Sequence, residues 1–149
     1  MVDISYKIES LEWNKNFPSY KKCISNSVSQ IFKMVKFSSN NEMSISFLLT
    51  SNSEIKLLNQ RYRNKNKPTN VLSFPMHEQI ENKNYLGDVV IACEKIIDES
   101  SEQNIKKYEY LSKMTIHGVL HLLGYKHDTD KQFNKMNSIE KNILKEIYK

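Results

Sequence analysis

Three of the four histidines of this 149-residue chain fall within eleven residues, in the stretch HGVLHLLGYKH. The first two, His117 and His121, are four positions apart, so in a helix they lie on one face, a turn from each other. Gly124 follows three residues later and can adopt a positive φ, which ends a helix and turns the chain back. His127 then approaches the other two from a third direction. The stretch therefore predicts a helix that ends near Gly124 and a cluster of three imidazoles.

Three neutral imidazoles at this spacing are typical of a transition-metal site. Three protein ligands leave one coordination position open for water, which is characteristic of catalytic rather than structural zinc. The spacing also matches the metzincin protease signature HExxHxxGxxH, but Gly118 replaces the glutamate that acts there as general base. We therefore predict one metal ion on His117, His121 and His127, and three imidazoles suit zinc, nickel, copper or iron.

Four segments have the apolar patterns of β-strands. Two of them alternate apolar and polar residues, one is rich in β-prone residues before a proline, and one is a continuous apolar run typical of a buried strand. A polar loop separates the third segment from the fourth, so these two are expected to pair antiparallel. The predicted strands are residues 2–8, 43–49, 69–76 and 86–91.

Apolar residues at spacings of three and four predict a long first helix. A capping box of Ser51 and Glu54 predicts a second one, and the rest of the chain after the last strand has helical character. The predicted helical segments are residues 18–36, 51–62, 94–99 and 104–123, and a last helix capped by Asp130 whose apolar face carries Phe133, Met136, Ile143 and Ile147. Together with the strands they predict an α+β fold. We expect one small mixed sheet of about four strands packed against helices, with the histidines on a zincin-like metal helix.

Length and composition narrow the class of protein. A chain of 149 residues suits one domain, and its net charge of +5 fits either a polyanionic partner or a lysine-rich solvated surface. Two cysteines, Cys23 and Cys93, are too few for a disulfide framework, which favours a reduced cytoplasmic setting. The longest apolar run, residues 89–93, is too short to span a membrane.

Three blocks of the sequence resemble the YbeY family of bacterial endoribonucleases. They are the histidine stretch at 117–127, the block LN at 58–59 with YR at 62–63 and KPTNVLSFP at 67–75, and LGDVVI at 86–91. The resemblance implies a zinc-type metal on the three histidines, single-strand-specific RNA cleavage, maturation of 16S rRNA ends and a role in ribosome quality control. It also implies that Arg63 lies near the site and is linked to activity. Lys126 stands where the family usually has aspartate.

Several residues are candidates for the chemistry of RNA cleavage. His117 and Arg63 are the catalytic candidates, and the nucleophile is either a metal-activated water or the RNA 2′-OH. Arg63 offers a fork of donors for phosphate oxygens. The substrate-binding candidates are Arg61, Arg63, Lys65 and Lys67, which can follow an RNA backbone electrostatically or form a solvated loop.

Two carboxylates lie in apolar settings, where an unpaired charge is costly. Asp88 interrupts the run at 86–91, and Glu140 falls on the apolar stripe of the last helix. Either one suits the second ring nitrogen of a ligand histidine, as metal sites usually require, or else a cap or salt bridge. His77 is expected at the surface rather than among the ligands, and Asp128 is expected in a turn.

The sequence thus predicts that residues 1–149 form a single metal-dependent endoribonuclease domain acting on ribosomal RNA. The expected partners are the ribosome or its small subunit with its proteins, with no membrane or DNA partner. One alternative is a zincin-like metallopeptidase, since the ligand spacing is shared. The other is a non-enzymatic ribosome assembly factor in which the metal is structural.

Overall fold

A computed structural model describes residues 2–37 and 42–149. The strands in chain order are β1 (Val2–Ile8), β2 (Glu42–Thr50), β3 (Val71–Ile80) and β4 (Lys83–Ala92). The helices are α1 (Glu12–Asn16), α2 (Tyr20–Met34), α3 (Asn52–Arg63), α4 (Cys93–Glu102), α5 (Lys107–Leu122) and α6 (Asp130–Ile147). The predicted α+β fold is confirmed.

The four strands form one mixed sheet in the order β1-β2-β4-β3. β1 pairs parallel with β2, and β2 pairs parallel with β4, while β3 pairs antiparallel with β4 as predicted. β3 is therefore an edge strand, next to the central strand that carries the apolar run. This position matters because β3 forms one wall of the site described below.

The two faces of the sheet bury different side chains, as the period of two requires. Ile45, Phe47 and Leu49 of β2 point into the main core, where helices α2, α5 and α6 also contribute. On the other face, Leu72, Val90 and Ala92 form a smaller cluster with Ile55 of α3. Helix α5 thus lies on one face and α3 on the other, with the sheet between them.

The structure differs from the prediction at several element ends. The sequence pattern did not predict α1. β3 and β4 are longer than predicted and form a hairpin closed by Glu81 and Asn82, which have φ values of 50° and 65°. The prediction that Asp130 caps the last helix is wrong. Thr129 is the N-cap, its side chain accepts from the Gln132 backbone N–H, and the Gln132 side chain accepts from the Thr129 N–H.

The predicted apolar face of the last helix is also partly wrong. Met136 and Ile143 are buried in the core, but the Phe133 side chain is 53% exposed. Phe133 lies in the first turn of α6, beyond the edge of the core. None of the helices in the described part of the chain is long and apolar enough to cross a membrane.

Candidate metal centre and active site

Helix α5 brings two of the histidines to the site because one of its faces lies very close to the sheet. The point of closest approach is Gly118, where an added Cβ would lie 2.7 Å from Cγ1 of Val89 and 3.2 Å from Cγ2 of Val71. Ser73 Oγ donates to the Gly118 carbonyl oxygen at 2.8 Å, which ties the helix to β3. Position 118 therefore packs against the sheet, and a glutamate does not fit there without displacing β-branched side chains.

The end of α5 has the hydrogen bonds of a Schellman motif. Gly124, at φ +100°, donates its N–H to the His121 carbonyl at 3.1 Å, and Tyr125 donates to the Leu120 carbonyl at 3.0 Å. An added Cβ at Gly124 meets nothing within 4 Å, so the requirement for glycine is conformational. This turn reverses the chain and leads it back toward the histidines, as the sequence predicts.

Both helical histidines have one ring nitrogen held by an acceptor. His117 Nδ1 lies 2.9 Å from Glu140 Oε1, and His121 Nδ1 lies 2.9 Å from the Tyr125 carbonyl oxygen. A carboxylate and a carbonyl oxygen can only accept, so each Nδ1 carries a proton, and in the neutral ring the lone pair is then on Nε2. The Glu140 and His117 side chains are only 12% and 25% exposed, which shelters their pairing from solvent.

The two lone pairs face each other, which is the arrangement that a shared cation needs. His117 Nε2 and His121 Nε2 are 3.1 Å apart. Two metal–nitrogen bonds of about 2.05 Å at a tetrahedral angle separate their nitrogens by about 3.3 Å. Burial, followed by the neighbouring His117, lowers the pKa of His121 to about 4, so this ring is a neutral donor at neutral pH.

His127 completes the cluster from the loop after α5. Its ring centroid lies 4.7 Å from that of His121 and 5.4 Å from that of His117, and one ligating atom from each ring falls within 4.8 Å of the others. His127 is exposed whereas the other two are half-buried. The three donors thus fit a single transition-metal ion, with their open side toward solvent.

The cluster lies in an open cavity of about 510 Å³ between α5, β3 and the loop that follows α5. Arg63, at the last position of α3, reaches the same cavity around the edge of the sheet. Its Nη2 donates to the Ser73 carbonyl of β3 at 3.2 Å, which fixes the guanidinium at this edge. The structure therefore brings Arg63 to the same cavity as His117, His121 and His127.

The other basic candidates lie outside the cavity wall. Arg61 places its guanidinium over the ring of Tyr62, 5.4 Å from the centroid, and Lys65 and Lys67 are exposed in the loop after α3. The backbone of that loop is held by Asn59, whose side chain donates to the Lys67 carbonyl at 2.9 Å. All three side chains are exposed to solvent, and their role in binding RNA stays a prediction.

The two candidate carboxylates have different hydrogen-bond partners. Glu140 meets His117, whereas Asp88 accepts a hydrogen bond from the Tyr85 hydroxyl, and no hydrogen bond joins Asp88 to a histidine among the described residues. Burial raises the pKa of Asp88 above its usual range. Asp88 is thus part of the β4 strand structure, and Glu140 is the residue placed to orient a ligand. Asp128 is exposed and lines the cavity.

A model of the family described as endoribonuclease YbeY matches residues 6–148. The chain belongs to the YbeY family. The endoribonuclease YbeY of Bartonella bacilliformis is 37% identical over 150 residues, covering 99% of this chain and 94% of its own. That of Vesicomyosocius okutanii is 42% identical over 148 residues, covering 99% and 96%. These relatives confirm the resemblance on which the endoribonuclease prediction rests.

A solved structure has a similar fold. The solution structure of TM1509 from Thermotoga maritima superimposes with a TM-score of 0.57 at 27% identity, covering 99% of this chain and 89% of that one. The α+β arrangement with one sheet is therefore shared with a solved protein. The likeness of the metal helix to zincins rests on ligand spacing alone and stays a prediction.

Sequence reasoning missed some residues of this YbeY-family site. The Tyr125 carbonyl has no sequence signature, because a backbone acceptor is independent of side-chain type. His77 is exposed as predicted, but it lines the same cavity, and its Nε2 lies 2.8 Å from the Leu122 carbonyl oxygen. His77 has a φ of 52° at an irregularity of β3, and this local conformation, unmarked in the sequence, turns it toward α5.

Proposed function

We propose that this chain is a metal-dependent endoribonuclease, a hydrolase that cuts internal phosphodiester bonds of single-stranded RNA with one zinc ion. We further propose that residues 1–149 work as one domain in the cytoplasm, in maturing the 3′ end of 16S rRNA and in ribosome quality control, with the small subunit and its proteins as partners. The observation that carries the proposal is that the three histidines and Arg63 line one open cavity.

The proposed ligands are Nε2 of His117, Nε2 of His121 and a ring nitrogen of His127. When bound, zinc supplies Lewis acidity toward a phosphate oxygen and lowers the pKa of a coordinated water molecule. Glu140 orients the His117 ring and increases its basicity, and the Tyr125 carbonyl does the same for His121. These two contacts hold the donor lone pairs in place before any ion or substrate arrives.

Arg63 is proposed to bind the phosphate group of the substrate. A guanidinium has five N–H donors, and one bond to the Ser73 carbonyl leaves the others for phosphate oxygens. Because that bond fixes the fork at the cavity wall, little side-chain entropy is lost when the phosphate arrives. Arg63 then stabilises the additional negative charge that develops on the phosphate during cleavage.

The packing at Gly118 favours a nuclease over the zincin-like metallopeptidase. In the protease signature the residue at this position supplies the general base. Here the position faces Val89 and Val71 of the sheet, with no space for a carboxylate beside the histidines. A reaction on phosphodiesters relies instead on charge stabilisation, which three histidines with a metal and an arginine provide.

The direct test compares the wild-type chain with His117→Ala, both purified identically and supplied with zinc. We expect wild type to cut single-stranded RNA internally and to leave a matched duplex intact. The His117→Ala variant, which lacks one proposed ligand, should cleave at least about 100-fold more slowly. Equal residual activity in the two preparations would reject the nuclease and favour the assembly factor with a structural metal. Cleavage of a broad peptide library would instead support the metallopeptidase.

A further inference from the structure

A second cavity opens beside the metal site. It measures about 300 Å³, and Gly124 and Tyr125 line both it and the histidine cavity. Its far wall is the segment after α2, where Lys36 and Phe37 lie, and Lys135 of α6 forms another side. Arg63 lines the first cavity but not this one. The two cavities are therefore adjacent, and together they extend from the histidines toward the end of α2 and α6. We call this pair of cavities the groove.

Lysines line this groove. Lys126 lies in the histidine cavity, and Lys36 and Lys135 lie in the second one. All three are exposed, and none of them forms an ion pair with a carboxylate among residues 2–37 and 42–149. Unpaired cations along a groove attract a polyanion. The lysine at position 126, where the family usually has aspartate, adds to this positive potential.

Aromatic rings line the groove beside these lysines. Tyr125 is half-buried, with the ammonium of Lys135 6.0 Å from its ring centroid. On the other side, the rings of Phe37 and His77 are 6.2 Å apart, and His77 belongs to the histidine cavity while Phe37 belongs to the second one. A groove that combines cations with aromatic faces is the general means of binding single-stranded nucleic acid, because every base has a face that stacks.

We propose that this groove is a binding subsite for the single-stranded RNA that extends from the cleaved bond. Lys36, Lys126 and Lys135 contact successive phosphates, and the rings of Phe37 and Tyr125 offer stacking surfaces for the intervening bases. The proposal rests on the proposed function. It adds that the substrate is an extended strand held mainly by this groove, rather than by the loop that carries Lys65 and Lys67.

The test uses the full chain with Lys36→Ala and Lys135→Ala combined. The control is Lys141→Ala with Lys145→Ala, an equal loss of charge at exposed positions of α6, the helix that carries Lys135, outside both cavities. Oligouridines of 4 and 12 nucleotides are compared as the ratio of their kcat/KM values. We expect the groove variant to lower the long-to-short ratio about tenfold and the control pair to leave it near that of wild type. Equal ratios in the two variants would overturn the proposal.

Binding separates this proposal from the proposed function. With a 12-nucleotide 2′-O-methyl oligouridine, whose integrity is checked after each measurement, we expect the groove variant to reduce the slope of log K against log salt by about 1.4, from two phosphate contacts at about 0.7 each. A reduced slope without any RNA cleavage would support the groove and reject the nuclease. An unchanged slope, or no binding by wild type, would overturn the groove. Thermal unfolding of both variants checks that the fold is retained.

Discussion

At the scale of single residues, the candidate site depends on acceptors that hold the protonated nitrogens of two histidines. Glu140 and the Tyr125 carbonyl each take one Nδ1–H, and the two Nε2 lone pairs are left 3.1 Å apart. Such partners fix the tautomer and the orientation of a ligand ring. The metal affinity should therefore depend on Glu140 even though it is not itself a proposed ligand.

Replacing Glu140 with alanine should weaken zinc binding about 10- to 100-fold, because His117 loses the acceptor that orients it. Competition with a chromophoric zinc chelator measures the dissociation constant. Glu146→Ala is the matched control, since that carboxylate lies on the same helix and pairs with Lys149 at the surface. Equal zinc affinities in the two variants would show that the pairing of Glu140 with His117 does not support the metal site.

Arg63→Lys should lower kcat/KM on single-stranded RNA about 10- to 100-fold, because an ammonium cannot hold the Ser73 carbonyl and also offer a planar fork to phosphate. Steady-state kinetics on a labelled oligonucleotide measures the effect. Arg61→Lys serves as the control, since Arg61 lies over Tyr62 and outside the cavity. Similar losses in both variants would indicate general charge attraction instead of a specific contact.

The residues of the site differ in how far the sequence can predict them. The cluster of His117, His121 and His127 follows from local geometry, since a helical turn and one glycine bring the rings together. Glu140 is 23 positions from His117, so the sequence does not show that the two side chains meet. Asp88 has a similarly apolar setting, and only the packing of α6 on α5 shows which of the two carboxylates reaches the histidine. The catalytic and binding roles of these residues stay predictions until the variants are measured.

At the scale of elements, the position of the site depends on how closely α5 approaches the sheet. Gly118→Ala should lower the free energy of unfolding by about 1–3 kcal/mol, because the new methyl group overlaps Val89. In an exposed helix the same change stabilises by about 1 kcal/mol. Urea unfolding measures the difference, with Ser101→Ala, exposed in α4, as the control for helix propensity. A Gly118→Ala variant as stable as wild type would show that the contact is not tight.

The elements themselves were predictable where the apolar pattern is long. β2 has a clear period of two, because alternate side chains are buried. α5 is buried on most of its sides, so its length and the glycine at its end mark it in the sequence rather than a period. The helix α1 has five residues and only Trp13 buried, too few for a period. The hairpin of β3 and β4 extends beyond the core, where apolar and polar residues no longer alternate. Thr129 caps α6 instead of Asp130, and adjacent capping residues cannot be separated by type alone.

At the scale of the whole molecule, metal binding should stabilise the fold, since the proposed ligands and Glu140 come from α5, α6 and the loop between them. A ligand at 100 times its dissociation constant adds about 2.7 kcal/mol to the free energy of unfolding. We expect zinc to raise Tm and a chelator to reverse the shift. The His117→Ala variant, measured in the same way, should show little response. A shift of the same size in that variant would place the stabilising zinc elsewhere.

The arrangement of the whole sheet was less accessible to sequence reasoning than its parts. The antiparallel pairing of β3 with β4 follows from a short loop. The parallel pairing of β2 with both β1 and β4 joins segments far apart in the chain, and hydrophobic patterns do not specify such neighbours. The family was predictable because its three motif blocks occur in order, and the match over residues 6–148 confirms it.

The most direct measurement is a zinc titration of the metal-free chain with cleavage of a single-stranded RNA recorded in the same samples. Our account predicts that internal cleavage rises in proportion to bound zinc and levels off at about one equivalent per chain. His117→Ala should bind less zinc and remain inactive. Cleavage that does not depend on the metal, or that is equal in wild type and His117→Ala, would contradict the account.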